Sequence, residues 1–212
     1  MSSERVRRKR WPWIVAALAV ALLVPALILG VPILTHENQG SSNQETPAVE
    51  WPLEGTATGD DGRTRTISVE AEVGQLDTSA LAPGDRLVVT GSGYDGTRGI
   101  YVAICVIPDS PDVKPGPCIG GVPEQTPTTV DEGTVQFGPS NWINDDWAWK
   151  LFGARSYDDL EAGTFTAYIE VGDAAGDKYD CRVDACGLYT RNDHTALNDR
   201  VQDLYVPIGF AG

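Results

Sequence analysis

Histidine is nearly missing from this chain: His36 and His194 are the only two in 212 residues. Zinc enzymes draw three protein ligands to the metal and structural zinc sites four, and one histidine within the folded part leaves such a site short. The four cysteines do not repair this, because no pair has the two-residue spacing typical of a zinc knuckle. No Gly-x-Ser-x-Gly occurs, so the nucleophile elbow of a serine hydrolase is absent, and Gly91-Ser92-Gly93 reads as a turn. The acid clusters Asp60-Asp61-Gly62, Asp145-Asp146, Asp158-Asp159 and Asp173 to Asp177 do not match the twelve-residue calcium loop with its closing Glu. They read as solvated turns. There is no internal repeat. These gaps point away from an enzyme and predict neither a metal nor another cofactor.

Charge is equally uneven. Trp11 to Leu34 runs without a charged residue, behind a head that carries Arg5, Arg7, Arg8, Lys9 and Arg10 against Glu4 alone. About 20 apolar residues in a helix cross a bilayer core, and the basic flank stays in the cytoplasm. Trp11 and Trp13 sit where interfacial aromatics belong. A cleaved signal has an apolar region of roughly 7–15 residues and a small-x-small cleavage site. Here the run is longer, and Leu34-Thr35-His36-Glu37 offers no such site. The expectation is therefore an uncleaved single-pass anchor: a cytoplasmic tail over 1–11, a membrane span over 12–34, and the rest extracytoplasmic. Pro25 and Pro32 are expected to kink the span, which is tolerable where the freed carbonyls find partners.

Beyond the span, 11 Lys and Arg face 29 Asp and Glu, a net charge of −18. Such a surface repels nucleic acid and anionic lipid headgroups. All four cysteines, Cys105, Cys118, Cys181 and Cys186, lie in this external part. An even count in an oxidising compartment reads as two disulfides, with three connectivities open on spacing alone.

Residues 35–63 read as a flexible stalk, rich in Asn, Gln, Ser, Glu and Pro near its start. From 64 to 212 the pattern becomes short runs of β-branched and aromatic residues punctuated by turns. Thr66–Val73 alternates, with Ile67, Val69, Ala71 and Val73 on one face. Arg86–Gly91, Gly99–Val106, Thr134–Phe137, Gly163–Val171, Tyr179–Tyr189 and Leu204–Phe210 complete about seven strands. Strands at this spacing predict an all-β sandwich. Pro108 to Pro127 carries six prolines and is read as irregular, and Ser156 to Leu160 as one helical turn capped by Ser156.

Two stretches carry a family resemblance. The first is Val88-Val-Thr-Gly-Ser-Gly-Tyr94 followed by Tyr101-Val-Ala-Ile-Cys105 and a looped return to Cys118. The second is Tyr179-Asp-Cys-Arg-Val-Asp-Ala-Cys-Gly-Leu-Tyr189. Together they resemble the neocarzinostatin family, seven-stranded immunoglobulin-like apoproteins of actinobacteria that carry enediyne chromophores. The resemblance spans roughly Ser68 to Phe210 and implies local pairs, Cys105–Cys118 and Cys181–Cys186. The segments Cys186–Ala196 and Gln202–Phe210 look like the version found in cell-surface proteins of mycolic-acid actinobacteria. The chain differs from the chromophore carriers by its anchor, a longer first cysteine loop, and an insertion from about Pro139 to Asp159.

That insertion concentrates Trp142, Trp147, Trp149 and Phe152, aromatics of the kind favoured at recognition surfaces and in ligand pockets. They are the expected ligand-binding set, against a structural reading in which they fill the core. Arg191, Asp193, His194, Asp199, Arg200 and Asp203 are expected to brace the loop between the last two strands. The functional expectation is a non-enzymatic, surface-displayed binding module. Its partners would be the membrane, through 12–34, and a hydrophobic small molecule or a cell-envelope protein. Two readings stand against it: an extracytoplasmic enzyme using His194 and nearby carboxylates, and a purely structural envelope protein.

Overall fold

The computed structural model describes residues 4–47, 50–120 and 135–211. Two compact units divide the chain, Met1–Glu37 and Asn38–Gly212. The first is a single helix, α1, over Glu4–Leu34. Its Trp11–Val31 stretch, 21 residues with a mean hydropathy of 2.9, is long and apolar enough to cross a membrane. The helix begins inside the basic head and continues through Pro25 and Pro32. At its end the Thr35 backbone N–H and hydroxyl both donate to the Val31 carbonyl, at 2.9 and 2.8 Å.

The second unit is built on β-sheets. One four-stranded antiparallel sheet has the order β1 (Glu54–Thr58), β2 (Thr64–Ala71), β3 (Arg86–Ser92), β6 (Phe165–Glu170). The other has the order β10 (Leu204–Ile208), β9 (Cys186–Asn192), β4 (Ile100–Val106), β5 (Ser140–Ile143). A small hairpin, β7 (Ala175–Gly176) with β8 (Tyr179–Asp180), stands apart. One core joins the two large sheets. Ile67, Val69, Leu87, Val89, Phe165, Ala167 and Ile169 come from the first, and Ile100, Val102, Ile104, Leu188, Leu204 and Val206 from the second. Period-two alternation puts these side chains on facing surfaces. Val171 joins this core, whereas Val73 lies past the end of β2 and is exposed.

The outer faces of the two sheets differ. On the first, hydroxyl rungs cross the strands: Thr56 to Thr66 at 3.1 Å, Thr58 to Thr64 at 2.9 Å, Ser68 to Thr90 at 2.8 Å. On the second, Ala103, Cys105 and Tyr189 form a separate buried cluster, with Ile107, Cys118 and Tyr205 packed on it. Tyr189 and Tyr205 stack with centroids 4.8 Å apart.

Both disulfides are local, Cys105–Cys118 and Cys181–Cys186. The first holds the proline-rich return beside β4, where Val106 N–H donates to the Pro117 carbonyl at 3.0 Å and Ile119 N–H to the Ile104 carbonyl at 2.8 Å. A loop of about this size is worth roughly 3 kcal/mol in the chain-entropy account. Residues 121–127 of that proline-rich stretch lie outside the described residues.

Several expectations need correction. The stretch read as stalk, 35–63, contains β1, paired along its length with β2 from Glu54↔Ser68 to Thr58↔Thr64. Its earlier part also makes specific contacts: Asn38 Nδ2 donates to the Asn198 carbonyl at 3.0 Å and Gln39 N–H to Asp199 Oδ2 at 3.1 Å. The Gln44 amide donates to the Tyr205 carbonyl and accepts from the Tyr205 N–H, both at 2.7 Å. Amide side chains here saturate backbone groups along the edge strand β10, a protective use of polar residues that composition cannot tell from disorder. The strand expected at Thr134–Phe137 is not found over 135–137, and Thr134 lies outside the described residues; β5 forms at Ser140–Ile143 instead. The run Tyr179–Tyr189 is interrupted by the turn that Cys181–Cys186 closes. No helical turn forms at Ser156–Leu160; a turn of helix, α2, forms at Trp147–Lys150, capped by Asp146 accepting from Ala148 N–H.

Candidate functional site

Registers Ile100↔Ile143 and Ile100↔Asn192 bring the start of β4 and the ends of β5 and β9 to one end of the second sheet. Two excursions leave from that end, 144–155 and 193–203, and between them they hold most of the residues singled out from the sequence. Asp193 is their hub. It is fully buried, and its Oδ2 accepts from Trp142 Nε1 and Asn144 Nδ2, each at 2.9 Å. Oδ1 accepts from Thr195 N–H at 2.8 Å and Thr195 Oγ1 at 2.5 Å, which starts the 3₁₀ turn His194–Ala196. The fit requires glycine at 99, because a Cβ there would stand 1.9 Å from Asp193 Oδ2.

His194 lies against this hub with its faces taken. Its Nδ1 is 3.0 Å from the Tyr101 hydroxyl, and Trp149 and Trp142 meet its ring edge-on at 4.7 and 5.3 Å. Burial, with the charge of Asp193 adding to it, pushes the Tyr101 phenol up to about 12, so it stays protonated. The Arg191 guanidinium lies over the Tyr101 ring at 5.6 Å, and its Nη1 donates to the Pro115 carbonyl at 3.3 Å. No carboxylate reaches His194 through a hydrogen bond among those described.

The remaining loop residues make a second knot. Arg200 Nη1 meets Asp203 Oδ2 at 2.8 Å, both side chains almost wholly buried, and Arg200 Nη2 also donates to the Leu197 carbonyl. Burial pushes the Asp203 carboxyl upward against the opposing pull of Arg200 and Arg191. Asp199 accepts from the Val201 and Gln39 N–H groups, and its carbonyl takes the Asn192 amide. The six polar residues thus form two knots rather than one brace. One faces the tryptophans and the other the edge of β10.

The four aromatic residues of the insertion also separate. Trp142 and Trp149 are half-buried around His194, with ring centroids 5.8 Å apart. Trp147 and Phe152 are exposed, at 63% and 51%. Of the four, Trp142 alone lines an open cleft of about 450 Å³, whose walls include Phe137, Pro139, Ser140, Asn141 and Arg155. Asn141 bridges the sheets there, donating to the Tyr168 carbonyl at 2.9 Å and accepting from its N–H at 3.0 Å. Arg155 lies over the Tyr168 ring at 4.8 Å, and Phe137 meets that ring edge-on at 5.4 Å. The Ser140 side chain, 7% exposed as a residue, finds no hydrogen-bond partner for its hydroxyl among the described residues. Among the described residues no group of three His, Cys, Asp or Glu converges as metal ligands would.

Sequence reasoning missed Tyr101, Asn144, Ser140 and Arg155. Only Tyr101 left a signal, as an amphipathic aromatic at an outward position of an otherwise apolar strand. Compared with known protein families, curated proteins and solved structures, the chain matches none.

Proposed function

We propose that this protein is a membrane-anchored, extracytoplasmic binding module that captures a hydrophobic small molecule without transforming it. The observation that carries this reading is the cleft beside β5. Its volume falls within the roughly 300–1,000 Å³ of ligand sites, and its Trp142 wall is held in place through the indole N–H bond to buried Asp193. An aromatic wall fixed beforehand spares a ligand the cost of ordering it. Ser140 supplies a hydroxyl without a partner among the described residues at the same wall, and Arg155 a cation. A buried polar group with no partner costs free energy that a ligand group could recover.

Supporting observations frame the cleft. Helix α1 has the length and hydropathy of an anchor and a strongly basic head, and both disulfides favour an oxidising compartment. The order β10-β9-β4-β5 facing β2-β3-β6 agrees with an immunoglobulin-like sandwich, in which a G-F-C sheet extended by C′ faces A, B and E, with β1 added at the edge beside β2. We extend this to a neocarzinostatin-like relationship, on the two local disulfides. The non-enzymatic reading is supported by His194, whose ring is packed by Trp142 and Trp149, whose Nδ1 meets a Tyr101 phenol kept protonated by burial, and to which no carboxylate bonds among the described hydrogen bonds.

The test is thermal unfolding of the full chain in detergent micelles with a panel of polycyclic aromatics, with and without an acid group. A ligand at 100 times its Kd stabilises by about 2.7 kcal/mol, or roughly 5–10 °C in a domain of this size. At least one class should do this for the wild type and not for Gln136→Trp, which fills the cleft. Equal shifts in both proteins, or no shift with any class, would sink the reading.

A further inference from the structure

The tip of the 144–155 excursion is apolar and uncovered. Trp147, Leu151 and Phe152 are 63%, 74% and 51% exposed, and Leu197 of the neighbouring excursion is 48% exposed. None of these side chains lines the cleft, so ligand capture leaves them unexplained. The neighbouring carboxylates are already engaged. Asp145 pairs with Lys150 at 2.5 Å, and Asp146 caps α2.

Where the chain enters this domain narrows the choice of what covers the tip. Asn38, where this unit begins, donates to Asn198, and Gln39 to Asp199, in the 193–203 excursion. That excursion contacts the 144–155 excursion through the His194–Trp149 pair, 4.7 Å between centroids. The entry point and the apolar tip therefore share one end of the second sheet. Between the end of α1 at Leu34 and Asn38 stand only Thr35, His36 and Glu37. A fully extended chain of that length reaches only about 14 Å, whereas each headgroup layer is itself roughly 5–7 Å thick.

We propose that the tip bearing Trp147, Leu151 and Phe152 inserts into the outer headgroup layer of the same bilayer that α1 spans, giving the protein a second, peripheral membrane contact. This rests on the anchor reading of α1. Tryptophan and phenylalanine beside an aliphatic side chain are the composition that settles at a lipid interface. The net charge of −18 beyond the span opposes attraction to anionic lipid, so insertion is apolar and insensitive to salt. Such docking would fix the orientation of the cleft relative to the membrane, where a lipophilic ligand is concentrated.

The experiment uses the full chain reconstituted in phosphatidylcholine liposomes, with unbrominated or acyl-brominated lipid. Flotation with the liposomes reads the anchor. The emission of Trp147, taken as the difference between wild type and Trp147→Ser, reads the tip. Insertion to about 5–10 Å predicts at least about a twofold loss of that emission in brominated lipid, unchanged in 1 M salt. The double substitution Leu151→Glu/Phe152→Glu should still float, yet leave Trp147 unquenched by brominated lipid. A chain that does not float overturns both the anchor and the docking. One that floats with Trp147 quenched by aqueous acrylamide and not by bromine keeps the anchor and overturns the docking. Protection from both quenchers would assign the tip to a protein contact, such as a second copy, and overturns the docking as well.

Discussion

The two large sheets share one core and yet are different objects. The sheet β1-β2-β3-β6 is buried on one face and presents hydroxyl rungs on the other. The sheet β10-β9-β4-β5 is buried on both: its outer face carries the Ala103–Cys105–Tyr189 cluster, and the disulfide-tied return and two long excursions clothe it. The first is a half-solvated wall, for which alternation is a sufficient code. The second is a platform, and every candidate functional residue stands on it or at its end. Covering an outer face demands long loops, and long loops are where binding groups collect.

The largest expected effect tests whether the plainer sheet is as simple as it looks. Arg65 is almost fully buried at the head of β2, and its counter-charge is Asp61, at 2.5 Å. Asp61→Ala leaves that guanidinium uncompensated and should cost about 3–5 kcal/mol, read by urea unfolding. Burial alone would raise the Asp61 carboxyl, but the bonds from Arg65 and Arg63 outweigh it and hold it below the usual carboxylate range. A depressed carboxyl contributes stability above its unfolded value that is lost as pH falls through the folded one. Wild type should therefore weaken on acidification below about pH 4, and Asp61→Ala should lack that part of the decline.

The next two predictions compare the outer faces directly. Tyr189, 4% exposed and stacked on Tyr205, should cost about 3 kcal/mol when replaced by Ala, in the same unfolding measurement. Thr90, exposed at the corresponding outer surface of the first sheet and bonded there to Ser68, should cost no more than about 0.5 kcal/mol as Thr90→Ala. Similar values for the two would erase the distinction between a wall and a platform.

The code is easiest to read where the period is clean. Phe165, Ala167, Ile169 and Val171 fall on one face by alternation and all four are buried. It misleads where polar side chains substitute for water. The Asn- and Gln-rich entry segment has the composition of a flexible linker, yet Gln44 pairs with the backbone of Tyr205 across 161 residues of sequence. At the candidate site the residue types are visible in the chain and their grouping is not. The insertion advertises four aromatics, but only the fold divides them into two that close around His194 and two that point to solvent.

By itself the sequence determined the apolar N-terminal helix, the acidic character and β class of the domain beyond it, and the presence of cysteines enough for two disulfides. These depend on composition and on local period, which a chain carries wherever it folds. Tertiary structure alone decided that Asp193 would gather Trp142, Asn144 and Thr195, that Ser140 would lack a partner among the described residues beside an open cleft, and that the entry segment would share an end of the sheet with an uncovered apolar tip. Those facts depend on register between strands far apart in the chain. A one-residue slip in β5 would turn Trp142 to the opposite face and disperse the site.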